Sequence, residues 1–445
     1  MRIEKKTHVV WKFEKMSLRT KIQNFHTNVL LKIILNSIEK YKGFVYKEIK
    51  LTGESTHLSL EVVIEPRRNS RGVCRYCGDL CSGYDKQEQR RYEYIPLWGI
   101  AVFFLYQPRR LDCPECGIHV EQVPWAVGKH RLTQRYAWFL SSWAKRLSWK
   151  ETAEAFGTSW HHVYRSVEMA VSWGLKHRSL EGIRSIGVDE IAWRKGHNYQ
   201  TLVYQIDSHC KRLLWIGEER TEKTLHGFFD ELGRERSARL EYVCSDMWKA
   251  YLNVIAERAS QAIHILDRFH IVSHLSKAID QVRAAEARKM KEDGYEPVLT
   301  NTRWLLLKNP ESLTETQEVK LRELLQYNLK AVRSYLLKED FQQLWSYSSK
   351  YWAGKFIDKW CTRAMRSKID PMKKVAKQIR KHKELMLNWF EANGELSSGI
   401  VEGFNNKAKL TMRRAYGYKS SKLLKISLYH ALGDLPVPRT THSFF

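Results

Sequence analysis

Apolar and polar positions alternate in the first quarter of the chain, with the period of two that half-buried strands show. The alternation is clear over residues 45–64 and returns over residues 92–106. We therefore predict short strands in both stretches. Residues 1 to about 25 are polar, basic and weakly patterned. They predict an unordered leader and leave Met16 open as an alternative first residue.

From residue 131 to about 180 the apolar spacing becomes helical. Residues 148–157 predict a capped short helix that ends at a glycine, and a second helix is predicted over about 159–173. Further apolar stretches predict strands at residues 185–189, 201–206, 212–216, 242–246 and 262–266. A helical segment is predicted at 224–232, before the strand at 242–246.

From about residue 270 to 392 almost every stretch reads as helix, and a last helix begins near Ser397 or Ser398. Separate runs of strands and helices predict an α+β multidomain protein. A length of 445 residues leaves room for two to four domains.

The charge balance indicates the partner. A formal net charge of +26 attracts a polyanion, so nucleic acid is favoured over a membrane surface. The longest clean apolar run, Ile100–Tyr106, is too short to cross a bilayer. No secretory signal is visible, because Lys32 interrupts the apolar stretch at residues 29–35. We expect a soluble, intracellular protein without a membrane partner.

Two C-x-x-C-G knuckles predict a metal site. In each knuckle a tight turn brings both thiolates to one ion, and the glycine tolerates left-handed backbone. Four thiolates satisfy tetrahedral Zn²⁺, so we predict one structural zinc ion held by Cys74, Cys77, Cys113 and Cys116. Cys81 and His119 are weaker substitute ligands. A redox pair or a coincidental spacing is the alternative.

The helical pair that follows has the pattern of a helix-turn-helix. Ala153, Gly157 and Val163 fall where this motif needs a small residue, a turn and a buried aliphatic side chain. Its second helix would enter the major groove of DNA and present four polar side chains near its start: Ser159, His161, His162 and Arg165. An ordinary helical pair between two domains is the alternative.

Two aspartates follow apolar strands. Asp189 closes the stretch that begins at Ile186, and Asp246 closes the one that begins at Tyr242. Carboxylates at the ends of neighbouring strands can share divalent cations, and a glutamate from a nearby helix would complete the set. Cutting a phosphodiester needs such ions to activate water and to stabilise the leaving oxygen. Either aspartate taken alone also fits a turn or a helix cap.

Glu402 heads a predicted helix that is strongly basic. Residues 403–425 contain seven basic residues and no acid. At helical spacing Glu402, Asn405 or Asn406, Lys409 and Arg413 share one face. The glutamate could bind metal while other residues contact phosphates, for which the candidates are Asn405, Lys407, Lys409, Arg413 and Arg414. A solvated basic helix with a dipole-favoured glutamate is the alternative.

The separation between Asp246 and Glu402 is too long for a strand-to-helix link, so a helical insertion is expected at roughly 290–392. Its basic residues could grip DNA or form a solvated face: Arg366, Lys368, Lys373, Lys374, Lys377, Arg380, Lys381 and Lys383. Its tryptophans fit a core better than a base-stacking platform: Trp304, Trp345, Trp352, Trp360 and Trp389.

Taken together, these motifs resemble the ISL3 family of bacterial insertion-sequence transposases over about residues 30–430. The resemblance rests on the knuckles, the helix-turn-helix, G-V-D-E, strand-S-D, strand-D-R-F-H, and S-x-G-x-x-E-G-x-N-x-K-x-K with R-x-A-Y-G-Y. It implies an RNase H-like catalytic domain with Asp189, Asp246 and Glu402 as ligands of two Mg²⁺ or Mn²⁺ ions. Asp267 and His270 would assist, although Asp267 could simply cap a helix and His270 could be a core histidine. Glu190 and Asp207 are not favoured as ligands.

The resemblance also implies a function. Such a transposase binds terminal inverted repeats, cuts the element's ends, joins the freed 3′-hydroxyl to target DNA and acts as a homodimer on the bacterial nucleoid. The alternatives are a non-catalytic DNA-binding regulator and an RNase H-like nuclease without strand transfer. The predicted divisions are a leader with strands at 1–70, a zinc ribbon at 71–128, a helix-turn-helix at 129–180, a catalytic domain at 181–289 and 393–432, the insertion at 290–392 and a tail at 433–445.

Overall fold

The computed structural model describes most of the chain. The described residues are 18–54, 58–128, 130–194, 196, 198–295, 298–392, 399–415 and 417–438, with side chains from residue 28 onward. The chain divides into two compact units, one of Met1–Lys176 with Pro436–Phe445 and one of His177–Leu435. No helix within the described ranges is long and apolar enough to cross a membrane.

Strands dominate the first half of the first unit. They are β1 (Phe44–Thr52), β2 (Ser59–Pro66), β3 (Gly72–Val73), β4 (Leu80–Lys86), β5 (Arg90–Leu97), β6 (Ile100–Tyr106), β7 (Arg109–Cys113) and β8 (Gly117–Val120). One sheet has the order β1-β2-β6-β5 and another has the order β3-β4-β7-β8. The strands predicted from the alternation at 45–64 and 92–106 are confirmed.

Helices complete the first unit. They are α1 (Leu18–Ile38), α2 (Gln134–Trp143), α3 (Trp149–Ala155) and α4 (Trp160–His177). The prediction of an unordered leader is wrong from Leu18 onward, because the chain there is helical and Leu31 and Leu35 pack against the core of the first sheet. Residues 1–17 lie outside the described residues.

A capping box and a turn glycine define the start and the end of α3, the first helix of the predicted helical pair. The Ser148 side chain accepts from the Glu151 amide and the Glu151 carboxylate accepts from the Ser148 amide, so α3 begins with a capping box. Gly157 takes a φ of +60° in the turn, which L side chains rarely adopt. Ala153 and Val163 are buried in the helical core, as predicted.

A mixed sheet organises the second unit. Its strands are β9 (Ser185–Arg194), β10 (Asn198–Ile206), β11 (Lys211–Glu218), β12 (Tyr242–Ser245) and β13 (Ile263–Leu266), in the order β11-β10-β9-β12-β13. β9, β10 and β11 are antiparallel neighbours, whereas β12 runs parallel to β9 and to β13. The strands predicted in this region are confirmed, except that β9 is longer than expected.

Helices cover both faces of this sheet. One apolar core joins it to α5 (Glu222–Leu232) and α7 (Lys249–Arg258), with α6 (Arg234–Ala238) between them in the chain. The opposite core joins it to α15 (Gly399–Arg414) and α16 (Ser421–Leu432). Ser397 and Ser398, the predicted start of the last helix, lie outside the described residues.

Helices occupy the stretch in which the helical insertion is predicted. The helices are α8 (Arg268–Glu292), α9 (Arg303–Leu307), α10 (Glu315–Leu324), α11 (Lys330–Gln342), α12 (Lys350–Arg366), α13 (Asp370–Lys381) and α14 (Lys383–Glu391). The Asn388 side chain of α14 donates to the backbone oxygen of His264, which ties the insertion to edge strand β13. Trp345, Trp360 and Trp389 pack in or against the core, as predicted. The core assignment is wrong for Trp304 and Trp352, whose side chains are exposed because they lie on outward helix faces.

Candidate active site

Three buried aspartates form a row at one edge of the mixed sheet. Cys244 of β12 pairs with Gly187 of β9, so Asp246 is level with Asp189, two residues further along each parallel strand. Ser245 pairs with Leu266 of β13, so Asp267 is level with Asp246. All three aspartates are less than 8% exposed. The strand pairing therefore places three aspartates from different parts of the sequence at neighbouring positions of the sheet.

Asp189 does not end its strand, contrary to the prediction. β9 continues to Arg194 because residues 190–194 pair with β10 on the way into the hairpin. Asp189 and Glu190 are consecutive in a strand, so their side chains point to opposite faces of the sheet. Lys195 and His197, which stand between β9 and β10 in the sequence, lie outside the described residues.

Asp189, Asp267 and His270 converge. One ligand atom from each lies within 4.8 Å of the other two, and His270 Nε2 is 3.6 Å from Asp189 Oδ1. Asp267 also caps α8, since its side chain accepts from the Phe269 amide at 2.7 Å. The contact with the Asp189 carboxylate raises the pKa of His270 to about 9, which favours a protonated ring beside the carboxylates. Asp267 thus serves as a cap and as part of the cluster.

Arg220 lies between Glu190 and Asp246. Its guanidinium is 2.9 Å from Glu190 and also hydrogen-bonds Asp246, while the Trp248 amide donates to Asp246 at 3.0 Å. Burial, followed by the charges of Asp246 and Asp189, raises the pKa of Glu190 to about 7. Burial also raises the pKa of Asp246. One guanidinium therefore opposes the buried carboxylate of Asp246 and the partly buried carboxylate of Glu190.

Asn405 is buried against Asp189. Its amide nitrogen donates to Asp189 Oδ2 at 2.5 Å, and its oxygen accepts from the Tyr204 hydroxyl at 2.8 Å. Both ends of the amide are thus used inside the protein, and the residue is only 5% exposed. The assignment of Asn405 as a DNA contact is wrong because the docked face of α15 carries it inward. Asn406 is the exposed neighbour.

Close packing brings α15 to this position. A Cβ on Gly187 would lie 2.4 Å from Val401 Cγ2, so the glycine lets the helix approach β9 closely. Glu402 follows Val401 and precedes Asn405 by nearly one helical turn. Glu402 is exposed, and its carboxylate has no ion pair or hydrogen bond with another described residue. The structure groups Asp189 with Asp267 and His270, and Asp246 with Glu190 and Arg220, without bringing Glu402 into either group.

The four predicted cysteines also converge. Their sulfur atoms lie within 4.8 Å of one another. The Tyr76 and Cys77 amides point at Cys74 Sγ, each at 3.4 Å, and Gly78 and Gly117 adopt positive φ as the knuckles require. His119 Nε2 is 3.0 Å from Cys74 Sγ, whereas Cys81 is buried nearby but outside the convergent set.

Comparison with known proteins identifies the family. A family model described as a transposase, of the ISL3 group of DDE transposases, matches residues 186–428, more than half of the chain. The chain belongs to the ISL3 transposase family. The match covers both sheet faces, the aspartate row and Glu402.

Two relatives support this membership over most of the chain. The transposase for insertion sequence element IS1001 of Bordetella parapertussis is 29% identical over 392 residues, which cover 87% of this chain and 95% of the relative. The transposase for insertion sequence element IS1557 of Mycobacterium tuberculosis is 28% identical over 418 residues, which cover 85% of this chain and 90% of the relative.

The candidate DNA contacts of this ISL3 family member differ in their surroundings. His161 and Arg165 of α4 are exposed. Ser159 accepts from the His162 amide, and the His162 ring contacts Thr158 and Glu93, so these two help build the turn. On α15 the cationic candidates are exposed: Lys407, Lys409, Arg413 and Arg414. Tyr416, part of the motif that follows, lies outside the described residues.

Some residues of this ISL3 site could not be found from the sequence pattern. Arg220 lies in a short link between β11 and α5, where a single arginine carries no signal. Glu190 was visible in G-V-D-E but was not favoured, although it lies beside Asp246 with a buried Oε2 that has no described hydrogen-bond partner. Asp207, also not favoured, follows the last residue of β10. Its carboxylate accepts hydrogen bonds from the side-chain amide of Gln205 and from the backbone amide of Arg184.

Proposed function

We propose that the protein is a DNA transposase that binds the terminal inverted repeats of an insertion sequence, cuts the element's ends and joins the freed 3′-hydroxyls to target DNA. The row of three buried aspartates carries this proposal, because hard carboxylate ligands on a rigid sheet suit phosphodiester chemistry. Membership of the transposase family supports it. Because DNA is the proposed substrate, we expect the activity in the bacterial cytoplasm, on the nucleoid.

An RNase H-like catalytic fold is part of the proposal. Three antiparallel strands followed by two parallel strands, with helices on both faces, support it. The zinc-ribbon, helix-turn-helix and insertion boundaries predicted above are proposed with it. α8 to α14 interrupt this fold between β13 and α15, so that Glu402 returns to the sheet from a distant part of the chain.

The acidic residues fit divalent cations. Buried carboxylates repel one another, and the unpartnered Glu190 Oε2 would gain from a positive ion nearby. We assign Asp189, Asp246 and Glu402 as ligands for two Mg²⁺ or Mn²⁺ ions, with Asp267 and His270 in supporting positions. Such ions lower the pKa of a water nucleophile and stabilise the leaving oxygen.

The protein's own groups have distinct tasks in this scheme. Asn405 orients the Asp189 carboxylate, and Arg220 offsets the charges of Glu190 and Asp246. Protonated His270 holds Asp189 from the side of Asp267. The cationic residues of α15, together with His161 and Arg165 at the start of α4, are proposed to contact DNA, with Ser159 and His162 shaping the same turn.

A structural zinc ion is proposed at the four cysteines. A set of four thiolates closes a tetrahedral site and leaves no position for substrate. The ion would join the knuckle before β4 to the knuckle between β7 and β8. We also propose a homodimer on DNA, since two element ends must be handled together.

Plasmid cleavage tests the proposal. A plasmid that carries the gene with its own flanking DNA is incubated with the protein in Mg²⁺ or in EDTA, and the cut positions are mapped. We expect cuts at the element's ends in Mg²⁺ and none in EDTA. Asp246→Asn should bind the ends without cutting them. Asp207→Asn is the control, because Asp207 is equally buried in the same sheet but outside the row.

Two outcomes would count against this account. Cleavage by Asp246→Asn at the wild-type rate would remove Asp246 from the site. Specific end binding without cleavage, in every divalent ion tested, would instead indicate a non-catalytic DNA-binding regulator.

A further inference from the structure

Helix α12 has an outward face that combines aromatic and basic residues. Its inward face is closed by Ala353, Ile357 and Trp360, each buried in the insertion core. On the outward side Tyr351 and Trp352 are 61% and 57% exposed. Two large aromatic side chains are thus placed in solvent although the helix already has a complete apolar face.

The two exposed rings are held by a cation. They lie 5.3 Å apart at an interplanar angle of 74°, and Lys355 Nζ lies 4.5 Å from the Tyr351 ring and 5.3 Å from the Trp352 ring. Cation–π contacts of this length reduce the freedom of all three side chains. The pair therefore presents a preformed aromatic surface.

The same side of the helix continues with positive charge. A groove of about 570 Å³ is lined by Phe356, Asp358, Lys359, Thr362, Arg363 and Arg366. Asp358 is the acid of α12, and Lys383 pairs with it at 2.7 Å, while Arg363 pairs with Asp340. Lys355, Lys359 and Arg366 form no ion pair with any described residue. The groove keeps an excess of unpaired cations.

We propose that this face, Tyr351, Trp352, Lys355, Lys359 and Arg366, binds an unpaired segment of DNA. Bases stack on the two rings, and the three cations contact the phosphates that follow. From residue 352 to residue 366 the helix rises about 21 Å, which accommodates several nucleotides in line. The inference rests on the proposed function insofar as DNA is the substrate of the protein.

Aromatic faces distinguish unpaired DNA from duplex DNA as the partner. In a duplex the faces of the bases are covered by their neighbours, and exposed cations alone would serve for its phosphates. An unpaired base, unlike a base inside a duplex, offers a free face to a ring, and stacking of this kind is tolerant of sequence. Staggered cuts on the two strands at an element's end would leave such unpaired nucleotides beside the cut.

Equilibrium binding tests the proposal with the full-length protein. Fluorescence anisotropy is measured in EDTA with a labelled oligothymidine and with a duplex of the same length, over a series of salt concentrations. Trp352→Ala should weaken binding to the single strand about tenfold and change duplex binding less than twofold. Trp352→Phe should restore most of the single-strand affinity because it keeps a stacking face.

Trp304 offers a matched control. It is 58% exposed in the same insertion, and Arg303 lies 5.3 Å from its ring. Trp304→Ala removes the same surface at another place and should leave binding to both DNAs unchanged. Lys355→Ala combined with Lys359→Ala should weaken single-strand binding and reduce its salt dependence.

Equal single-strand affinities for Trp352→Ala, Trp304→Ala and the wild type would overturn the inference. So would photo-cross-links from an iododeoxyuridine oligonucleotide that map only outside α12. Because EDTA removes divalent ions, this test does not depend on cleavage. A protein that binds through Trp352 but never cuts DNA contradicts the proposed activity, whereas a protein that cuts normally without this contact contradicts only the inference.

Discussion

At the scale of single residues, the environment of Asp189 is the most informative feature. Its two oxygens are met by different partners, Asn405 on one side and His270 on the other. The carboxylate is therefore oriented before any substrate or ion arrives, as precise positioning of a reacting group requires. Asn405 in turn is fixed by the hydroxyl of buried Tyr204.

Replacing Asn405 tests this orientation. Asn405→Asp puts an anion beside Asp189 and removes the donated hydrogen bond, so we expect cleavage of the element's ends to fall about tenfold or more. Asn406→Asp adds the same charge at the exposed neighbour and should keep at least half of the activity. Equal rates for the two variants in a cleavage time course would show that Asn405 does not position Asp189.

His264 makes stability depend on acid. It is buried, it shares a hydrogen bond with Ser245 at 2.8 Å, and burial lowers its pKa to about 4. The unfolded chain then binds a proton more readily than the folded chain between about pH 6.5 and pH 4. The contribution of neutral His264 to the free energy of unfolding is therefore fully present above about pH 6.5 and is lost as the pH falls toward 4.

The effect of His264 can be measured by substitution. Between pH 7 and pH 5 its share of the loss should be about 2 kcal/mol, since each unit below pH 6.5 costs about 1.4 kcal/mol. His264→Gln should lose less stability over this range than the wild type does in urea unfolding. An identical loss in both proteins would assign the acid sensitivity to other groups.

At the scale of elements, the docking of α15 on β9 determines where the candidate site is built. At Gly187 the strand has no side chain between it and Val401 of the helix, and Glu402 and Asn405 follow Val401. The contact links the first strand of the sheet with a helix that lies beyond the whole insertion. A small change at Gly187 should therefore alter the position of the Asp189 carboxylate.

Adding a methyl group at Gly187 tests the docking. Gly187→Ala would place Cβ against Val401, and such overpacking costs about 1–3 kcal/mol. We expect both a lower unfolding midpoint and reduced cleavage. Gly403→Ala is the control, because nothing lies within 4 Å of its added Cβ and alanine favours the helix by about 0.5–1 kcal/mol. If the two variants were equally stable, the close approach would be unimportant.

The zinc ligands proposed in the cysteine cluster can be tested separately from the candidate active site. Cys113→Ser should abolish the binding of one zinc ion per chain and destabilise the sheet of β3, β4, β7 and β8. Cys81→Ser changes a buried cysteine outside the convergent set and should retain the zinc ion. Metal analysis of the purified variants decides the point. Loss of zinc from Cys81→Ser alone would require a different ligand set.

The sequence pattern predicted the individual helices and strands better than it predicted how they pair and pack. Alternation located β1, β2, β5 and β6, and the knuckle spacing located the cysteines, because both signals are local. Asp189 was placed at a strand end because its run of apolar residues stops there, whereas pairing with β10 continues β9 to Arg194. The choice between Asn405 and Asn406 was also open, since both fit the basic face until the docking of α15 is known. Arg220 has no local signal at all.

At the scale of the whole molecule, the chain joins a cysteine-bearing unit rich in strands to a unit built on the mixed sheet. Its charge of +26 suits a polyanionic substrate. The candidate site, in contrast, contains the buried acids Asp189, Asp246 and Asp267. Membership of the ISL3 transposase family accounts for this combination of basic surfaces and buried acids. The central proposal is that Asp189, Asp246 and Glu402 hold the metal ions for the chemistry on DNA, with Asp267 in support.

Strand transfer from pre-cut ends tests this claim most directly. A labelled inverted-repeat duplex with a free 3′-hydroxyl is incubated with a supercoiled target plasmid in Mg²⁺, and joined products are counted for the wild type, Asp189→Asn and Asp207→Asn. The account predicts joining by the wild type and by Asp207→Asn, and a loss of at least about a hundredfold for Asp189→Asn. Joining by Asp189→Asn at the wild-type rate would contradict it.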